Sequence, residues 1–128
     1  MQLTKDFTLA EMQCPCGHCN GGTMDAGFMQ KLQTMRDACG FPFRIDSGYR
    51  CHEHNLDPSV GGAPNSAHLY GRAVDVAVTD YKLRAKFLDA ASQVGMTGIG
   101  LGSTFIHVDD YHAKPTVWTY GQNKTRNT

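Results

Sequence analysis

Two imidazoles and a carboxylate mark where this chain could do chemistry. Ser66-Ala67-His68-Leu69-Tyr70-Gly71-Arg72-Ala73-Val74-Asp75 carries a histidine out of a turn, a glycine where the chain can bend sharply, and an aspartate on what reads as a strand. His68 and Asp75 are too far apart for one helix face, but a loop folding back onto a strand brings them together. Zinc takes His nitrogen and Asp oxygen at about 2.0–2.2 Å, and catalytic zinc keeps three protein ligands plus a water. Phe105-Ile106-His107-Val108-Asp109 offers the third ligand, because in a β pattern His107 faces away from Ile106 and Val108. Read singly, each piece is ordinary. A histidine before a strand is more often hydrogen-bonded at a surface, a strand aspartate is usually solvated, and six histidines allow accidental pairings.

The string does not stand alone. Ser47-Gly48-Tyr49-Arg50, Asn55 and Gly61-Gly62 precede it, and Gly98-Ile99-Gly100 leads into Ile106-His107-Val108-Asp109. In this order the motifs resemble those of the zinc D-Ala-D-Ala carboxypeptidase family, within the superfamily shared with lysostaphin-type peptidases and the hedgehog signalling domain. The likeness runs from the helix before Ser47 to Trp118. It implies one catalytic Zn2+ on His68, Asp75 and His107, and hydrolysis of an amide bond in a peptidoglycan stem peptide or cross-bridge. It also resembles the compact members typical of bacteriophage lysins and virion-associated wall hydrolases.

The same resemblance implies roles. The arginine of Ser-Gly-Tyr-Arg faces the scissile carbonyl in the family, so Arg50 is expected to stabilise the oxyanion. A fixed guanidinium aimed at developing charge favours the transition state over the ground state. Its bland alternative is a surface arginine paired with Asp46 or Glu53. Tyr49 and Ser66 are expected to shape the substrate pocket. One departure matters: many relatives place a glutamate base three residues before the last histidine ligand, where this chain has Thr104. Asp109, on the same strand face as His107, is the best substitute; otherwise it orients a histidine ligand from behind. Asp110 and His112 are weaker candidates. The absent glutamate also admits a rival function, a catalytically impaired zinc-containing wall-binding or virion structural module.

Positioning these groups requires an α+β fold, two helices packed on a small antiparallel sheet. Phe7 to Met12 is at most a short helical turn, and Gly17 to Gly22 is a loop. The stripe Met24, Phe28, Leu32, Met35 and Cys39 predicts a helix capped by Thr23 and stopped at Gly40. Phe43 to Asp46 reads as a strand, and Cys51 to Pro64 as an ordered loop. Arg72 to Val78 is a strand with Val74, Val76 and Val78 on one face and Asp75 on the other. Thr79 or Asp80 to Val94 is a second helix, with Leu83, Phe87, Leu88, Ala91 and Val94 inward. Ile99 to Leu101 and Phe105 to Asp109 form a hairpin, Val117 to Tyr120 adds an edge strand, and the tail from Gln122 is expected to fray. Trp118 reads as core packing in preference to a cleft wall with Tyr111 and Tyr120. His52, His54 and His112 read as exposed.

The 128 residues suit one zinc peptidase domain with a Cys-rich N-terminal segment over residues 1–22. Twelve basic and twelve acidic side chains cancel, so no net field draws the chain to nucleic acid or an anionic membrane. The N-terminus lacks a signal-peptide apolar stretch. Synthesis in a cytoplasm is therefore expected, with action on the wall after release or from a virion, and a monomer is the expected state. Of five cysteines, Cys14, Cys16 and Cys19 crowd together. They could join Cys39, Cys51 or His18 in a second, structural zinc site, but Cys-x-Cys-x-x-Cys lacks the paired spacing of common zinc knuckles. A disulfide to Cys51, formed outside the cell, is favoured over it, and Cys39 reads as core.

Overall fold

Asp25 and Asp80 start the two long helices by placing carboxylates over first-turn amides, Asp25 accepting from Phe28 N and Asp80 from Lys82 N and Leu83 N. The computed structural model describes residues 1–120, and the tail from Gln122 lies outside the described residues. In chain order the elements are α1 (Leu9–Met12), α2 (Ala26–Cys39), β1 (Arg44–Ser47), α3 (His52–Leu56), a 3-10 turn (Ala67–Tyr70), β2 (Ala73–Ala77), α4 (Tyr81–Gln93), β3 (Gly98–Leu101), β4 (Phe105–Asp109) and β5 (Thr116–Thr119). The α+β architecture is as expected. The cap of α2 is Asp25, not Thr23, and Gly40 ends that helix in the left-handed conformation at φ 73°.

The five strands run in the order β1-β2-β4-β3-β5. All pairs are antiparallel except β3 with β5, which corrects the expectation of a purely antiparallel sheet. The cause is local. Strand β4 already pairs with β2 and β3, so the returning chain adds to the outer edge of β3; opposite in direction to β4, it runs parallel to β3. A second correction concerns Cys51 to Pro64, where α3 forms because the Cys51 sulfur accepts from His54 N at its start.

One face of the sheet is apolar. Val74 and Val76 of β2 lie opposite Val108 and Ile106 of β4, and all four are fully buried with Phe28, Leu32, Met35 and Phe87 of the helices. Full burial of such a side chain stabilises by roughly 1.5–3 kcal/mol. A one-residue slip of β2 would turn Asp75 into that core, so the apolar face also fixes the register.

All five cysteines are free thiols, and the expected disulfide to Cys51 is not formed. Instead Cys14, Cys16, Cys19 and Cys51 gather in one cluster, while Cys39 is core.

Candidate metal centre

The opposite face of the sheet carries a single rung of unusual residues. Register pairing aligns Ser47, Asp75, His107, Gly100 and Trp118 across β1, β2, β4, β3 and β5. His68 reaches this rung from the 3-10 turn, whose start is capped by Ser66 Oγ accepting from His68 N at 3.2 Å. Gly71 closes the turn at φ 66°, and a Cβ there would lie 2.4 Å from the Thr23 carbonyl oxygen. The bend between His68 and Asp75 therefore needs glycine on both conformational and steric grounds.

His68, Asp75 and His107 converge, with their ligand atoms within 4.8 Å of one another. His68 Nε2 and His107 Nδ1 approach the same oxygen, Asp75 Oδ1, at 3.3 and 3.1 Å. A tetrahedral metal about 2.0–2.1 Å from each ligand sets ligand-to-ligand edges of roughly 3.3–3.4 Å, close to this spacing. All three residues are buried to 1% exposure or less.

The far side of each ring fixes its proton. His68 Nδ1 lies 2.6 Å from the Gly48 carbonyl, so it donates there and leaves a lone pair on Nε2. Nε2 is buried and turns its lone pair toward Asp75 Oδ1, two acceptors face to face that a cation between them would satisfy. His107 Nε2 lies 2.6 Å from Asp109 Oδ2, so it donates to that carboxylate and turns Nδ1 toward Asp75. The donor set is the two-imidazole, one-carboxylate arrangement that suits zinc.

Electrostatics follow from burial and these contacts. Burial drives Asp75 upward, yet the two imidazoles facing it, His68 foremost and then His107, overcome it and hold the carboxyl well below its usual range. Burial also pushes His68 down, aided by the Arg50 and His107 charges and opposed by Asp75. At His107 burial is outweighed by Asp109 and Asp75, and its pKa rises.

Asp109 does not face the convergence point. Its Oδ2 takes the His107 proton, and its Oδ1 accepts from Tyr111 N at 3.0 Å, His112 N at 3.3 Å and His112 Nδ1 at 2.8 Å. Burial pushes it up, but His107 and then His112 hold it down to about 2. Both oxygens are thus engaged, one on His107 and the other on the turn through Tyr111 and His112. Asp110 is also committed, accepting from Arg72 Nε at 2.8 Å and Lys31 Nζ at 3.1 Å. Thr104 is exposed in the turn before β4.

The remaining expected residues divide. Arg50 is buried, and its Nη2 donates to Ser66 Oγ at 3.4 Å, so it is no surface arginine. Ser66 lines a cleft of about 190 Å³ together with Asn65, His107, Asp109, His112 and Trp118. Arg50 lines a different, larger hollow of about 420 Å³, together with Glu11, Asp46, Ser47, Gly48 and His54. Tyr49 sits elsewhere: its ring packs where a side chain on Gly22 would be, bracing the N-terminal loop.

Three features escaped sequence reasoning. Trp118 is a cleft wall, its ring 5.2 Å from His107 and 5.3 Å from His112, which corrects the preference for core packing. His112 is half-buried in that cleft, not exposed. Gly98 and Gly100 share the site face of β3. A Cβ on Gly98 would lie 2.0 Å from Asp109 Oδ2, and one on Gly100 2.7 Å from Trp118 Nε1. The Gly-x-Gly alternation beside a histidine strand was the available signal, since it leaves one face of the strand bare.

The model of the peptidase M15 family matches residues 5–109, a span that contains the three converging residues and Arg50. The zinc D-Ala-D-Ala carboxypeptidase of Streptomyces albus G is 38% identical over 80 residues, 56% of this chain. The chain spans 31% of that relative's length. On the extent of the family match, the chain belongs to the peptidase M15 family.

Proposed function

We propose that the chain is a zinc-dependent peptidase that hydrolyses an amide bond in the stem peptide or cross-bridge of peptidoglycan, as a compact lysin-like wall hydrolase. The observation that carries this is the approach of His68 Nε2 and His107 Nδ1 to one Asp75 oxygen, with each ring's other nitrogen tied off by a fixed acceptor. The substrate class comes from the relative's name, a zinc D-Ala-D-Ala carboxypeptidase.

His68, Asp75 and His107 would hold the zinc. Zinc in such a site lowers the pKa of bound water toward about 7 and polarises a carbonyl oxygen. Asp109 keeps the proton of His107 on Nε2, so that Nδ1 stays available to the metal. Arg50, buried and braced by Ser66 Oγ, supplies a guanidinium for the charge that develops on the peptide oxygen. His112 takes over proton handling from the absent glutamate. Asp109 accepts from its Nδ1, which leaves the lone pair on Nε2 of a ring lining the cleft. Trp118, packed against the His107 and His112 imidazoles, lines the same cleft and limits the water around them.

The test is digestion of purified peptidoglycan fragments by the zinc-loaded chain and by His68→Ala, with products identified by mass spectrometry. New amine and carboxyl ends from the wild type alone support a peptidase. Release of terminal D-alanine marks carboxypeptidase action, and cut cross-bridges mark endopeptidase action. Intact fragments with a zinc-loaded wild type would overturn the proposal in favour of a binding module.

A further inference from the structure

The N-terminal cysteines carry a second inference, independent of the peptidase reading. Cys14, Cys16, Cys19 and Cys51 bring four sulfurs within 4.8 Å of one another. The Cys14–Cys51 and Cys16–Cys51 sulfurs are 3.7 Å apart, and those of Cys16 and Cys19 are 3.5 Å apart. A tetrahedral zinc with Zn–S near 2.3 Å sets S-to-S edges of roughly 3.8 Å. Disulfides bring sulfurs to about 2.05 Å, so neither Cys14–Cys51 nor Cys16–Cys19 is at bonding separation.

Each sulfur also accepts from at least one backbone amide. His18 N points to Cys16 and Gly21 N to Cys19, both at 3.3 Å; Cys51 N points to Cys14 and His54 N to Cys51, both at 3.4 Å. Amide donors aimed at sulfur favour thiolate over thiol. A dication among the four sulfurs would hold them all as thiolates, because coordinated thiols are deprotonated outright.

We infer that Cys14, Cys16, Cys19 and Cys51 bind a zinc ion as a closed tetrathiolate site that fastens the N-terminal loop to the segment carrying Arg50. Four protein ligands leave no position for water, so the site is structural. Its location gives it a purpose. Cys51 follows Arg50 directly, Tyr49 N donates to Met12 O at 2.7 Å, and the Gly48 carbonyl holds His68. A Cβ on Gly48 would lie 2.8 Å from the Met12 backbone, so the two segments are in tight contact. The residues from Ser47 to Cys51 are thereby clamped between the sulfur cluster and the His-Asp-His centre.

The experiment is metal analysis of the full chain purified under native conditions, together with cobalt substitution. The expected result is two zinc ions per chain, falling to one in Cys16→Ser/Cys19→Ser and to one in His68→Ala. Cobalt should give an intense thiolate charge-transfer band that survives His68→Ala, whether or not the chain cleaves peptide, and disappears with the cysteine change. If the cysteine variant does not fold, the wild-type metal count and cobalt band decide alone. One zinc per chain with no thiolate band would overturn the inference, as would two disulfides in the native chain. A chain coloured by bound iron would overturn zinc as the ion.

Discussion

Replacing Asp109 by asparagine separates two roles that one carboxylate could play. Three donors converge on Oδ1, namely Tyr111 N, His112 N and His112 Nδ1, while Oδ2 faces His107 Nε2 at 2.6 Å. An isosteric amide therefore keeps its oxygen where the three donors are and turns its NH2 toward His107. Donor then meets donor. His107 must move its proton from Nε2 to Nδ1, the nitrogen that faces Asp75 Oδ1 at 3.1 Å. In the metal-free chain that tautomer is tolerable, since Nδ1–H can donate to Asp75. With zinc it is not, because the proton occupies the lone pair the metal needs.

The cost is that of a charge-assisted hydrogen bond, about 1.5–3 kcal/mol, equivalent to roughly a 10- to 100-fold loss of zinc affinity. Competition against a chromogenic chelator measures it, with circular dichroism confirming the fold and kcat taken at saturating zinc. A zinc Kd within twofold of wild type beside a collapsed kcat would refute the positioning role and return Asp109 to the part of proton acceptor. Unchanged values of both would refute either role.

Other perturbations follow from the same contacts. Arg50→Lys keeps the charge but loses the planar fork, so kcat should fall roughly 10²- to 10³-fold at unchanged zinc affinity; steady-state kinetics with matched metal content check it, and wild-type kcat would remove Arg50 from the chemistry. Gly98→Ala drives a methyl toward Asp109 Oδ2, 2.0 Å away. It should destabilise by about 1–3 kcal/mol and weaken zinc in parallel with Asp109→Asn; denaturant unfolding and chelator competition read both, and an unperturbed zinc Kd would break the link. Acid should unfold the zinc-free chain early. Asp109 sits at about 2 against an ordinary 3.8, and Asp75 is also depressed, so their stabilisation is complete above about pH 5 and drains as pH falls toward 2, Asp109 alone giving about 2 kcal/mol. His68, lowered from 6.5, adds loss in the same direction; His107, raised, opposes it by stabilising below 6.5 and weakening as pH rises through its folded pKa. Urea midpoints from pH 6 to pH 3 measure the balance, and a flat profile would contradict it.

The features legible in the sequence were those carried by period. Alternation in Val74, Asp75 and Val76 puts one carboxylate opposite two core residues, and the same pattern around His107 puts the imidazole on the matching face. The long helices were equally plain, because the stripe from Met24 to Cys39 spans four turns and ends at a left-handed glycine. What escaped depends on tertiary choice. Strand β5 pairs with β3 because β4 has both edges occupied, and no local pattern in Thr116–Thr119 records that. Asp109 could have faced either side of His107 on the same strand face; the turn through Tyr111 and His112 decides it by delivering three donors to one oxygen. The fourth sulfur was one candidate among several in the sequence. Spacing within Cys14, Cys16 and Cys19 suggests three ligands, and the fold chooses Cys51 over Cys39 and His18 to stand beside them.

The metal centre and the sheet register are one constraint. Ser47, Asp75, His107, Gly100 and Trp118 occupy a single rung only because Val74 and Val76 meet Val108 and Ile106 on the other face. A slip by one residue would turn the valines onto the site face and the aspartate into the apolar core, losing the contribution of several side chains together with the site. The bulge in β1 between Ile45 and Ser47 serves the same register from the edge. It ends β1 with Ser47 opposite Asp75, and the chain then turns through Gly48, whose carbonyl holds His68, to Arg50. The core does not merely support a site added above it. The pairing that buries the valines also sets Asp75 directly across from His107, so a chain unable to hold this register could not assemble the centre at all.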